Sequence, residues 1–232
     1  MAIAADPVQA IEARLGHAFA DRSLLREALT HSSATGRGRA RRSNERLEFL
    51  GDRVLGLVIA DLLIGRYPAE VEGDLSRRHA ALVRREALAL VARDLGAAEW
   101  LVVGRSEEEA GGRANPALLA NVVEALIGAL YGDAGLEVAG RFIRKHWLPR
   151  LEAMAVPPRD GKTALQEWAQ SRGLGLPVYE VAAVVGPPHA PSFDVTVSLA
   201  GFEPCRAVAG SKRAAEQAAA EKLLARLEAA DV

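Results

Sequence analysis

The sequence predicts an all-α N-terminal region followed by a small α+β unit in the order α-β-β-β-α. Three observations carry this reading. From about residue 7 to 150, apolar residues recur at intervals of three and four, the helical period, with almost no alternating stretch. The turn-formers Pro157-Pro158-Arg159-Asp160-Gly161 then interrupt the pattern. Beyond them, residues 192–199 alternate as a half-buried strand does, with Phe193, Val195, Val197 and Leu199 on one face. The expected boundaries are 7–150 for the first domain, 151–160 for a linker and 161–229 for the second.

The first domain is bounded by composition before any motif is read. The chain has 232 residues, 50% hydrophobic and 25% charged, which suits a folded core and excludes a disordered chain. Its single cysteine, Cys205, excludes an internal disulfide and suits a reducing compartment. No basic n-region opens the chain, and the most apolar run, 54–64, is interrupted by Asp61 and too short to span a bilayer. No membrane segment is therefore expected. A net charge of -1 taken alone argues against a polyanionic partner.

Within that domain, a helix is expected after Ser43 or Asn44, either of which can cap it. Glu45, Glu48 and Asp52 are spaced i, i+3, i+7 and share one helical face, while Leu47, Leu50 and Val54 form the buried side. Arg46 and Arg53 are expected on other faces. Such carboxylates repel one another unless a cation or proton intervenes; a merely solvated acidic face shows the same spacing. A second helix is expected over 116–131, with Asn115 as its cap and Pro116 in its first turn, stopping at Gly132-Asp133-Ala134-Gly135. Asn121 and Glu124 lie at i, i+3 among Leu118, Leu119, Val122, Val123, Leu126 and Ile127. A carboxylate in so apolar a helix needs a partner. Either Asn121 bonds Glu124, or the pair meets Glu48 and Asp52 in an all-oxygen site suited to Mg²⁺ or Mn²⁺ rather than zinc. The acidic run from Glu107 is read as a loop.

The second domain opens with a short helix over 163–172, stopped by Gly173 and Gly175. Strands are expected over 178–185, 192–199 and 202–208, the last with Pro204 inside it. Ser211 then caps a helix over 212–227. From Asp160 onward there are seven Lys or Arg and nine Asp or Glu, so this domain is slightly acidic. Yet Lys212 and Arg213 stand together at a helix start, where they oppose the dipole; with the free N–H groups there they make a phosphate-binding end.

These motifs resemble a known family. Asn44 to Asp52, NERLEFLGD, is similar to the signature of the ribonuclease III family, and LTHSS from Leu29, EGDLS from Glu72 and VEALIG from Val123 agree with it. The tail resembles the family's double-stranded-RNA-binding domain in TALQEW from Thr163 and GSKRAAEQAAA from Gly210. The resemblance places the signature within 29–135. It implies a homodimeric endonuclease that cleaves double-stranded RNA by Mg²⁺-dependent hydrolysis, with Mn²⁺ as a substitute and no organic cofactor. Products would carry 5′-phosphates and short 3′ overhangs, and substrates would be ribosomal RNA precursors and structured messenger RNA in a bacterial cytoplasm. It further implies Asp52 and Glu124 as catalytic, Glu48, Asn121 and Glu124 as metal ligands, and Glu45 and Glu72 as accessory acids. RNA contacts are implied for Gln166, Glu167, His189, Ser211, Lys212 and Arg213. Two positions depart from the pattern. Asn121 stands where an aspartate is usual, keeping an oxygen ligand but no charge; Glu216 stands where a further basic residue is common. The alternative is a catalytically impaired dimer that binds or scaffolds double-stranded RNA; retention of Glu48, Asp52 and Glu124 favours the enzyme.

Overall fold

The computed structural model describes residues 7–35, 42–158, 160–187 and 191–230. The chain forms two compact units, residues 1–158 and 159–232.

The first unit is helical. It contains α1 (Pro7–Leu15), α2 (Arg22–Ala28), α3 (Glu45–Arg66), α4 (Glu72–Val83), α5 (Arg85–Leu95), α6 (Arg105–Glu109) and α7 (Pro116–Glu152). Its centre is the packing of α3 on α7, with α5 also against α7. Leu55 and Ile59 from α3 share one buried core with Val122, Val123, Leu126 and Ile127 of α7. Trp147 is a core residue whose Nε1 donates to the Leu82 carbonyl at 2.8 Å. Arg78 is buried too. Its guanidinium reaches Glu70, the Met154 carbonyl at 2.6 Å and the face of Tyr67, tying α4 to the end of α7.

The helix from Pro116 does not stop at Gly132. It bends at Gly135, whose φ of 77° admits a turn that a Cβ would oppose, and resumes to Glu152. The bend is held from outside: Asp133 accepts the N–H groups of Ala20 and Asp21 and lies 2.7 Å from His17 Nε2. α7 is long and apolar enough to cross a bilayer, but more than half of its apolar window is buried here, as in a core helix. The expected loop at Glu107 is instead the short helix α6, closed by an Arg105–Glu109 pair at i, i+4.

The second unit has α8 (Gly161–Ser171), β1 (Val178–Val185), β2 (Ser192–Ser198), β3 (Cys205–Ala209) and α9 (Lys212–Ala230). The strands form an antiparallel sheet in the order β1-β2-β3, in register at Val178 with Ser198 and Val197 with Cys205. Leu165, Val197, Ala219 and Leu223 form its core. α8 starts ahead of Thr163 because the Asp160 carboxylate accepts the Thr163 N–H. β3 begins after Pro204, which has no N–H for the ladder. Ser211 Oγ accepts the Ala214 N–H at 3.2 Å, as a cap.

Candidate active site and nucleic-acid interface

Two glycines let α3 and α7 touch backbone to backbone. A Cβ on Gly51 would fall 1.8 Å from the Glu124 carbonyl oxygen, and one on Gly128 would fall 2.1 Å from the Leu47 carbonyl oxygen. Each contact pair is spaced four residues along its helix, so the helices meet along one turn. Glu48 and Asp52 each follow a contact residue of α3, and Glu124 is itself a contact residue of α7. The crossing therefore gathers the carboxylates from two helices.

Their electrostatics record that closeness. Glu124 is half-buried, and its carboxyl is pushed up to about 7 by burial first and then by the charges of Asp52 and Glu48, with Arg53 opposing. Glu48 is raised by burial, then by Glu45 and Asp52. Asn121 is also half-buried on the same turn of α7, and among the described residues it makes no hydrogen bond with Glu124. The structure thus does not contain the Asn121–Glu124 pair. No group of three Asp, Glu, His or Cys side chains among the described residues is drawn together as a metal cage. In kind, however, the donors fit a hard divalent cation: all are oxygens, and added positive charge would remove the repulsion behind both shifts.

Two local expectations are corrected. Arg53 does not turn away; it pairs with Asp52 and lies 4.5 Å over the Phe49 ring, the reach of a long side chain overriding the direction of its Cα. Asn44 is at the cap position of α3 but makes no side-chain cap bond. It is buried, its Nδ2 lacking a partner, while the Ser43 hydroxyl donates to Glu45 at 3.0 Å.

In the second unit, Lys162, Gln166, Lys212, Arg213 and Glu216 line one groove between the starts of α8 and α9. Glu216 accepts from Lys162 at 2.6 Å and lies 3.9 Å from Lys212. The Lys162 ammonium also sits 4.4 Å over the Tyr179 ring. Burial, then the charges of Glu216 and Asp160, push the Tyr179 hydroxyl up to about 12.

The chain's similarities follow the same division. Residues 21–151 match the ribonuclease-III-like family model, and residues 162–227 match the double-stranded RNA binding motif. It is 50% identical over 224 residues to ribonuclease 3 of Cereibacter sphaeroides, covering 97% of each chain. Ribonuclease 3 of Azorhizobium caulinodans is 52% identical over 218 residues, 94% of this chain and 93% of the relative. The chain belongs to the ribonuclease III family. Among solved structures, the ribonuclease III nuclease domain of Campylobacter jejuni is 38% identical with a TM-score of 0.56, covering 61% of this chain and 99% of that one. Membership makes the protein a double-strand-specific endoribonuclease, with its nuclease domain ahead of its double-stranded-RNA-binding domain.

Not every residue expected of a ribonuclease III is brought into one place. Glu72 opens α4, where its carboxylate accepts from Ser76 at 2.6 Å and borders a pocket with Leu63 and Ile64. That places it beside the later part of α3, with Ala60, Leu63 and Ile64. Gln166, Ser211, Lys212 and Arg213 lie around the starts of α8 and α9, whereas Glu167 is exposed and does not line their groove. His189 lies outside the described residues. The sequence reading missed Lys162, whose signal was its place two residues after the Asp160 cap, facing the start of α9.

Proposed function

We propose that this ribonuclease III hydrolyses double-stranded RNA at the α3–α7 crossing with the help of Mg²⁺, or of Mn²⁺ in its place, leaving 5′-phosphates and short 3′ overhangs. The observation that carries the reading is Glu124, raised by burial and by Asp52 and Glu48 across the backbone contact. Glu48, Asn121 and Glu124 would hold the ion, and Asp52, paired with Arg53, would face the reacting phosphate. When bound, the cation supplies acidity to a water and offsets charge on the phosphate and leaving oxygen. Hydrolysis to a 5′-phosphate joins the water oxygen to phosphorus and breaks the bond to the 3′-oxygen, which leaves with a proton. Glu124 must give up its proton to become a ligand, so metal affinity should rise with pH through about 7.

The second domain would hold the duplex by its A-form shape. Lys212 and Arg213 suit backbone phosphates, and Gln166 and Glu167 suit 2′-hydroxyls in a minor groove, a contact that reads ribose rather than base sequence. Such selectivity suits structured precursors of ribosomal and messenger RNA in a bacterial cytoplasm. The working unit is proposed to be a homodimer. Phe49, Leu57 and Ile64 are spaced along one stripe of α3 and are 64%, 58% and 64% exposed. A pocket lined by Ala60, Leu63, Leu75 and His79 borders the same stripe and offers an apolar seat for a second copy. The solved Campylobacter nuclease domain likewise has a region involved in dimer formation.

The test is incubation of a paired RNA duplex with Mg²⁺ and either wild type or Glu124→Ala, with mapping of product ends. Cleavage to 5′-phosphates by wild type alone, with duplex binding retained in both, supports the proposal. Binding without cleavage by wild type would instead favour a scaffold. The mass in solution, compared with that of Phe49→Glu, tests the dimer.

A further inference from the structure

An electropositive recess of the catalytic unit lies outside the acidic cluster. It is bordered by Ser23, Arg26, Glu27 and Thr30 from α2 and its exit, by Arg42 ahead of α3, and by Val102. Residues 23, 26, 27 and 30 follow the helical period, so one face of α2 supplies that wall. The wall is tied to the active-site helix. Thr30 bridges to Val102, and its carbonyl accepts the Asn44 N–H at 2.9 Å, immediately before Glu45.

The two arginines are what set the recess apart. Arg22, Arg53, Arg77 and Arg113 in this unit each meet a carboxylate. Arg26 and Arg42 are exposed and make no salt bridge among the described residues, Arg26 acting on the Asp21 carboxylate only through its charge. Even Glu45, three residues beyond Arg42, takes its bond from Ser43 instead. The Ser23 hydroxyl and N–H both turn to the Asp21 carboxylate, which they hold below its usual range, so the arginines are the donors the recess offers. Glu27 on the rim leaves the recess with a net positive charge. Planar guanidinium donors whose N–H groups are not taken by a salt bridge suit an oxyanion that approaches from solvent.

We propose that this recess grips a backbone phosphate of the RNA duplex beside the acidic site, with Arg26 and Arg42 as positioning residues for cleavage. The contact counterbalances the acidic cluster: a polyanion that the carboxylates repel is held by cations on α2 and just ahead of α3. It rests on the proposal that duplex RNA is cut at the α3–α7 crossing.

The test uses the full-length protein and a paired RNA duplex. Binding is measured without metal over a range of salt, and cleavage with Mg²⁺. Arg26→Gln with Arg42→Gln should reduce the salt slope of binding by about 1 to 2. KM should rise about ten-fold with kcat little changed, because such a contact is made in ground and transition states alike. Glu27→Gln should act in the opposite direction, tightening binding. Both changes lie on exposed or rim positions, and matching thermal melts check the fold. A double variant with the wild-type salt slope and KM, beside a wild type that binds and cuts, overturns this contact and leaves the cleavage proposal standing. A wild type that neither binds nor cuts overturns both.

Discussion

Glu124→Gln should make the metal-free protein more stable at alkaline pH while abolishing cleavage. The wild-type carboxyl is raised from 4.5 to about 7 in the folded state. Below pH 4.5 it is protonated in both folded and unfolded chains, and the fold is at no disadvantage. As pH rises toward 7 the unfolded chain ionises freely while the folded one resists, so stability is progressively lost; above about 7 the loss is complete. At about 1.4 kcal/mol per unit, that shift corresponds to roughly 3 kcal/mol. Glu124 is only half-buried, and solvent screening reduces the figure to about 1.5 kcal/mol. Glutamine keeps the shape and carries no charge, so the variant should gain about that much at pH 8.5, or about 3–6 °C in Tm, and little at pH 4.5. The assay is thermal unfolding in a chelating buffer at both pH values, repeated with Mg²⁺ in excess. Mg²⁺ should stabilise wild type more than the variant. Parallel pH profiles for the two proteins, or equal responses to Mg²⁺, would refute the reasoning.

Three further outcomes are expected. Gly51→Ala should cost more than about 4 kcal/mol, since its methyl has only backbone to displace; urea unfolding of the purified variant measures it. Glu216→Gln should free Lys162 and Lys212 for phosphate and tighten duplex binding about two- to five-fold at low salt, read by fluorescence anisotropy. Asn121→Asp should lower the Mg²⁺ concentration needed for half-maximal cleavage by adding a charged ligand, and an unchanged metal titration would show that this position does not touch the ion.

Much of this architecture is legible in the residues because local and tertiary demands coincide. The alternation of Val195 and Val197 belongs to β2, and both side chains are fully buried. The spacing of Glu45, Glu48 and Asp52 belongs to α3, and the apolar surroundings of Glu124 signal the burial that raises it. Where local signals mislead, a distant partner is responsible. Gly132 to Gly135 has the composition of a helix stop, yet Asp133 is held by His17 and by two N–H groups more than a hundred residues away, and the helix resumes. Asn44 has the chemistry of a cap but is buried beneath the start of α3. Arg53 has a helical position facing elsewhere, but its long side chain brings the guanidinium back to Asp52. Glu72 shares a motif with the site in sequence and stands beside the other half of α3.

The contact between Gly51 and Gly128 has a consequence for how the protein can change over time. In most cores the distance between two helices depends on the side chains between them, and drifts as those are exchanged. Here the spacer is main chain, which substitution elsewhere does not alter. The surrounding Leu, Ile and Val residues are therefore free to vary in size within the limits of packing while Glu48, Asp52 and Glu124 keep their separation. Heritable variation in the core is uncoupled from the gauge of the acidic cleft, so long as two positions remain without a side chain.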